Sequence, residues 1–303
     1  MATLSLGDWT LDTVEAGHLW LDGGSMFGSV PKPLWSRTNP PDERNRIRLA
    51  MRCMLVRGHG RTIVVDVGMG EKFSDKLKEI YRAEFEPSLA QSLAAIGVQP
   101  HDVTDVVLSH LHFDHAGGST VRTPEGLRPA FPRAKWYVQR RNWDNAHAPN
   151  LRERASYMPE NYDALDEAGV LTLWQGPQEP WPGFRVFGAD GHTRGLQIIR
   201  VHGGGRTAYF VSDLIPTAAH VRIPYVMGYD MAAIETMEEK RSLLAQATRE
   251  NAWIALEHDP ETALGRPQQD GEDFAWGERV AADASAPLSS RGAAAPTLRV
   301  GFP

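Results

Sequence analysis

Ser109-His110-Leu111-His112-Phe113-Asp114-His115-Ala116-Gly117-Gly118 is the stretch on which the fold of this 303-residue chain turns. Three imidazoles and one carboxylate fall within six residues, directly after the apolar run Val106-Val107-Leu108. That run, preceded by Asp105 and ended by Ser109, reads as a short buried strand, with the cluster on the loop at its end. Ala116-Gly117-Gly118 allows tight turns and a close approach of backbone to backbone. Imidazole and carboxylate are ligands that suit zinc and other first-row divalent ions. His110 and His112 are two apart, so in an extended segment they project to one side. Asp114 and His115 follow a bend and face a second point in space. One zinc rarely takes four ligands from one short loop, whereas two adjacent metals can share them. The plainer alternative is a polar loop that happens to be rich in histidine.

The pattern His110-x-His112-x-Asp114-His115 resembles the signature of the metallo-β-lactamase superfamily. The resemblance implies a third His, a bridging Asp and a last His, each from a strand end further along. Three residues answer in that order. His192 follows Phe184-Arg185-Val186-Phe187, Asp213 follows Ala208-Tyr209-Phe210-Val211-Ser212, and His258 follows Ala252-Trp253-Ile254-Ala255-Leu256. Alone, His192 would read as a turn residue and Asp213 as a helix cap. Carried over to this chain, the resemblance puts His110, His112 and His192 on one metal and Asp114, His115 and His258 on the other, with Asp213 bridging. Two divalent ions per chain follow, zinc before iron, manganese or cobalt. Between them there is room for a bridging hydroxide, its pKa depressed by two divalent charges, to attack a carbonyl or phosphoryl centre. Asp114 is the catalytic candidate, orienting that nucleophile or shuttling its proton to the leaving group.

The implied fold is α/β (α+β), a four-layered αβ/βα sandwich of two mixed sheets flanked by helices, and strands alternating with helices in both halves agree with it. The resemblance spans about Leu11 to Glu261. Departures narrow it. Asp rather than Cys at 213 argues against the thiolate-bearing β-lactamases, and Asp rather than Glu at 114 against flavodiiron reductases. Relatives that process RNA carry a further large domain. Glyoxalase II carries a basic helical C-terminal domain, for which the residues after His258 are too few and too polar. What remains looks like the lactonase, methyl parathion hydrolase and esterase group, with lactone, ester or organophosphate substrates bearing an apolar group. Some of those lactonases polarise the substrate carbonyl with a Tyr three residues after the bridging Asp, where this chain has Pro216; Tyr225 and Tyr229 are candidates to replace it. The alternative function is a mononuclear iron oxidoreductase of the persulfide-dioxygenase type, which uses part of the same ligand set.

Composition adds limits. A hydrophobic fraction of 42% and a charged fraction of 23% are those of an ordinary globular protein. The net charge of −6 and pI near 6.0 argue against a nucleic-acid surface. No stretch approaches the roughly 20 apolar residues of a membrane span, and Met1 to Asp8 shows no secretory signal, so the cytoplasm is the default expectation. The single Cys53 excludes an intramolecular disulfide and reads as a small buried residue.

Along the chain, Thr10–Val14 and His18–Leu21 predict two short strands, with Asp22-Gly23-Gly24 as a turn. Ser25 to Trp35 is apolar but broken by Gly and Pro, fitting neither strand nor helix. It supplies Met26 and Phe27 as substrate-binding candidates beside Tyr225 and Tyr229, and is compatible with a homodimer contact. Ile47–Val56 and Thr62–Val67 form a hairpin, ending at Asp66 as a candidate support for the metal loop. Helical spacing runs from Ser74 to Ile96, and from Ile234 to Arg249. The Pro-rich Gly176 to Gly183 reads as a connection. Residues 1–282 are expected to form one domain and 283–303, rich in Ala, Ser, Gly and Pro, a flexible tail.

Overall fold

The computed structural model describes residues 1–282, so the tail expected over 283–303 lies outside the described residues. In chain order the strands are β1 (Thr3–Leu6), β2 (Trp9–Asp22), β3 (Arg46–Gly58), β4 (Arg61–Val65), β5 (Asp105–Val107), β6 (Thr120–Thr123), β7 (Gly126–Pro129), β8 (Lys135–Gln139), β9 (Leu171–Trp174), β10 (Gln178–Trp181), β11 (Phe184–Ala189), β12 (Leu196–Gly203), β13 (Arg206–Phe210), β14 (Trp253–Ala255), β15 (Thr262–Asp270) and β16 (Asp273–Ala281). The helices are α1 (Gly23–Phe27), α2 (Lys32–Trp35), α3 (Asp75–Tyr81), α4 (Leu89–Ala95), α5 (Phe113–Ala116), α6 (Arg140–His147), α7 (Asp163–Glu167) and α8 (Ala233–Arg249).

Two seven-stranded mixed sheets, ordered β1-β2-β3-β4-β5-β8-β9 and β10-β11-β12-β13-β14-β15-β16, face each other. Side-chain alternation decides what lies between them. In β4, Ile63 and Val65 point into the core between the sheets, where they meet Phe184, Val201 and Phe210 of the second sheet. Val64 and the neighbouring β3 residues Cys53 and Leu55 point the other way, into a layer with Leu93, Trp136 and Leu165. The outer face of the second sheet is covered by Leu243, Leu244 and Ala247 of α8. The result is helix, sheet, sheet, helix. Among the described residues no helix is long and apolar enough to cross a membrane.

Strand direction positions the site. β4, β5, β8 and β9 are parallel, as are β13 and β14. β11 is antiparallel to β12, and β12 to β13, so β11 runs with β13. The carboxyl ends of β5, β11, β13 and β14 therefore open on one edge of the sandwich, the place where open sheets of parallel strands expose backbone and loops to a ligand.

Several elements differ from the sequence expectation. The two predicted strands before Asp22 are one strand, β2, bent by a register shift between Glu15 and His18 with Gly17 at φ 98°. Asp22 does not end in a turn but caps α1, its Oδ1 accepting from Ser25 N at 2.7 Å. Ser25 to Trp35 therefore holds two helices, each too short for spacing to register. Its large side chains Met26, Phe27 and Trp35 are buried, Phe27 and Trp35 stacked on each other. β10 lies inside the Pro-rich connection as an edge strand. β15, carrying Pro267 and two register shifts, has no alternation to betray it.

Candidate metal centre

All seven donors named from the sequence converge at the shared edge. His110, His112, His192 and Asp213 form one buried group and Asp114, His115 and His258 a second. The first loop leaves β5 extended through His112, then turns into the single-turn α5, which carries Asp114 and His115. Gly117 and Gly118 let that turn press on the chain after β4: a Cβ on either would meet Met69 O at 2.0 Å or Val67 O at 2.2 Å. Backbone bonds from Val67 N to His115 O and from Gly118 N to Gly68 O, both 2.9 Å, fix it there.

Asp213 faces both groups. Its Oδ2 lies 3.1 Å from His192 Nε2 and 3.4 Å from His115 Nε2, and its Oδ1 lies 3.0 Å from His258 Nε2. Asp114 stands at the other side, 3.8 Å from His115 Nε2 and 3.7 Å from His258 Nε2. Burial, then the neighbouring imidazoles, push His110 and His112 well below the ordinary imidazole range. Burial also disfavours charge on His192 and His258, yet Asp213 outweighs it and lifts them to about 10 and about 9. His115 is raised as well, by Glu257, Asp213 and Asp114 against its burial. The Asp213 carboxyl is held well below the usual carboxylate range, because His115, His192 and His258 prevail over burial.

The donor set fits divalent cations. His110 Nε2 and His112 Nε2 are buried without a hydrogen-bond partner. Two pairs of ring nitrogens face each other at 3.3 Å, His112 Nδ1 with His192 Nε2 and His115 Nε2 with His258 Nε2. Buried polar atoms left in this state are costly, and a cation among them removes the cost.

Outer contacts hold the rings. Asp66 accepts from Ser109 N at 2.6 Å and Ser109 Oγ at 2.5 Å, and its Oδ2 lies 3.1 Å from His115 Nδ1. Ser109 Oγ also reaches His110 Nδ1 at 3.0 Å and Ser212 Oγ at 2.9 Å. Asp66 and Ser212 both take left-handed backbone, φ 56° and 47°, a strain of about 1–3 kcal/mol each for residues with a Cβ. His192 Nδ1 meets Asp230 Oδ1 at 2.9 Å, and His258 Nδ1 meets Ala50 O at 2.8 Å. Glu257 Oε1 lies 3.1 Å from His115 Nδ1; burial pushes its carboxyl up to about 7 against the pull of His115. Of these supports only Asp66 was identified from the sequence. Asp230 and Glu257 carry no pattern of their own, although Glu257 is marked by standing next to His258.

Over the donors opens a cleft of about 200 Å³, with Met26, Tyr81, Phe113, Met227 and Tyr229 on its apolar walls and Asp114 and Asp213 at its base. Of the four substrate-binding candidates, Met26 and Tyr229 line this cleft, and Phe27 and Tyr225 do not. Phe27 is fully buried, stacked between Trp35 and His220 at ring distances of 5.3 and 4.6 Å. Tyr225 packs edge-on against Phe27 and faces a separate groove with Leu34 and Pro224. Adjacent residues on a one-turn helix point apart, and a turn closed by Tyr225 N donating to Arg222 O at 3.0 Å sets Tyr225 off from Tyr229. A larger hollow of about 600 Å³ lies behind the metal loop, between Val67, Leu89 and Phe131, and contains none of the donors.

Residues 50–258 match the sequence profile of the metallo-beta-lactamase superfamily. The chain is 27% identical over 251 residues to a probable metallo-hydrolase, Rv2300c, of Mycobacterium tuberculosis, covering 73% of this chain and 75% of that protein. It is 26% identical over 181 residues to the N-acyl homoserine lactonase AttM of Rhizobium radiobacter, covering 56% of this chain and 63% of the relative. A solved structure of a probable metal-dependent hydrolase from Staphylococcus aureus superposes with a TM-score of 0.86 at 28% identity, over 93% of this chain and 100% of that one.

Proposed function

This chain belongs to the metallo-beta-lactamase superfamily and is a metal-dependent hydrolase; we propose that it works with two divalent ions, zinc first, on lactone, ester or organophosphate substrates bearing an apolar group. The observation that carries the two-ion reading is the placement of Asp213, whose two oxygens separately face His192 and His258 at 3.1 and 3.0 Å. His110, His112 and His192 would hold one ion, Asp114, His115 and His258 the other, and Asp213 both. Bound there, the ions supply the Lewis acidity that polarises an acyl or phosphoryl oxygen and makes water a nucleophile near neutral pH.

The chain's own residues do the rest. Asp114, at the base of the cleft, orients the attacking water and passes its proton from a carboxylate oxygen toward the leaving group. Met26, Phe113 and Met227 exclude water from the apolar part of the substrate, and the Tyr229 ring closes the same wall. The lactonase relative AttM supports lactones as the first substrates to try.

Elemental analysis of protein purified without added metal, paired with a panel of lactones, aryl esters and phosphotriesters, tests the proposal. About two zinc per chain and turnover of at least one of these classes are expected. One iron per chain, with oxygen uptake and no hydrolysis, would overturn it in favour of an oxidoreductase.

A further inference from the structure

We propose that Asn142 is a positioning residue for the first metal group, its amide fixing the separation of the loop that carries His110 and His112 from the loop that carries His192. The inference rests on the two-ion reading above. Asn142 sits on α6 and is fully buried. Its Oδ1 accepts from Leu111 N at 2.9 Å, and its Nδ2 donates to Arg194 O at 2.8 Å. Leu111 stands between the two histidines of the first loop, and Arg194 lies two residues past His192. An amide of this length offers an acceptor and a donor on opposite atoms, so one side chain clasps both loops, which neither Asp nor Leu can do.

Neighbouring contacts keep the clasp at one length. Gly195, at φ +75°, presses against α6 so closely that a Cβ there would meet Asn142 N at 2.4 Å. Tyr157 Oη lies 3.3 Å from Asn142 Nδ2, 3.1 Å from Asn145 Nδ2 and 2.8 Å from Thr193 Oγ1. Thr193 in turn donates to the buried Glu153 at 3.0 Å. The Tyr157 backbone pairs with His112, and the two rings are 4.8 Å apart. Each member of this network touches a residue of the first group or its immediate neighbour. None of its hydrogen bonds reaches Asp114, His115 or His258.

The test uses cobalt(II) loaded into the metal-free full chain, read by cobalt bound against a competing chelator and by visible absorption. In Asn142→Leu, which keeps the size and removes both bonds, one of two cobalt classes is expected to weaken by about 10–100-fold with a changed spectrum, the other staying as in wild type. Asn142→Asp, which keeps the acceptor for Leu111 N, is expected to fall between. Adding Asn142→Leu to His258→Ala assigns the loss, since the cobalt left in His258→Ala belongs to the first group and must be the one weakened. Wild-type retention of both classes in Asn142→Leu overturns the inference, as does equal weakening of both. Should Asn142→Leu not fold, Asn142→Asp and Tyr157→Phe carry the same comparison, with a several-fold selective weakening expected and none overturning it. One cobalt per wild-type chain would overturn the two-ion reading itself, and Asn142 is then judged on whether that single ion is weakened.

Discussion

His192 and His258 stand in matching places, each just past a strand end of the second sheet with its Nε2 toward Asp213, but they are held by different materials. The His192 ring is held by a side chain, Asp230 on its Nδ1, and its loop by the Asn142 clasp beside a backbone bond from Met231 N to His192 O at 3.1 Å. The His258 ring is held by backbone. Ala50 O receives its Nδ1, Ala50 N donates to His258 O at 3.1 Å, and Arg52 N donates to Glu257 O at 3.0 Å. The buried Arg52 guanidinium adds bonds to the carbonyls of Leu256, Asp259 and Thr262 and an ion pair with Glu15 at 2.6 Å. A backbone brace is indifferent to substitution at its own position, whereas a side-chain brace disappears with one codon. Of this pair, His192 is therefore the ligand whose ring a single side-chain substitution can release.

The largest effect should come from removing what the halves share. Asp213→Ala is expected to lower kcat/KM about 1,000-fold or more and to leave fewer than two metals per chain in elemental analysis; a variant retaining both would break the symmetry of the scheme. Arg52→Met should strike the fold rather than the metal, costing about 3 kcal/mol in urea unfolding because Glu15 and three carbonyls lose a buried partner. Asp230→Ala should chiefly do the reverse, weakening one metal class about 10–100-fold by competition with a chelator with a smaller stability loss, about 1 kcal/mol, from the Met227 N it leaves unpaired. If Arg52→Met weakened metal selectively and Asp230→Ala chiefly unfolded the chain, the contrast would be inverted.

Protons sharpen the comparison further. In the metal-free chain the raised imidazoles of His192 and His258 contribute stability that is complete below the ordinary value of about 6.5. It is lost as pH climbs through about 9 and 10. The depressed Asp213 works oppositely, stabilising above the ordinary carboxylate value and losing that contribution as pH falls below it. Metal must displace the bound protons. The first group has one raised imidazole, His192, and the second has two, His115 and His258. Loading metal near pH 7 should therefore release protons, His192 and His258 being raised above that pH, measurable by calorimetric titration in buffers of different ionisation enthalpy. Smallest of all, Tyr229→Ala, which removes the ring from the cleft wall, should raise KM for apolar esters several-fold while Tyr225→Ala leaves it within about twofold.

The donors were legible because their chemistry restricts residue type and their strands restrict place: a His or Asp soon after a short apolar run, repeated at four strand ends with four donors at the first, forms a pattern. The two sheets followed from the same runs. Asn142 and Asp230 were illegible for the opposite reason. Their partners lie 31 and 38 residues away, and an Asn on a helix or an Asp in a loop is ordinary until the fold is known. Phe27 and Tyr225 misled because apolar character beside a site does not say which way a side chain points, and α1, a single turn, sends Met26 to the cleft and Phe27 to the core.

Asp66 and Ser212 make a final point in the language of engineering. Both hold left-handed backbone that glycine would adopt without strain, so a search for a sturdier protein would be drawn to them first. Yet Asp66 carries the carboxylate that orients Ser109 and His115, and Ser212 the hydroxyl that meets Ser109 from the opposite sheet. Glycine at either place would calm the backbone but strip Ser109 and His115 of buried partners, so the chain would gain ease and lose both its aim and its sturdiness.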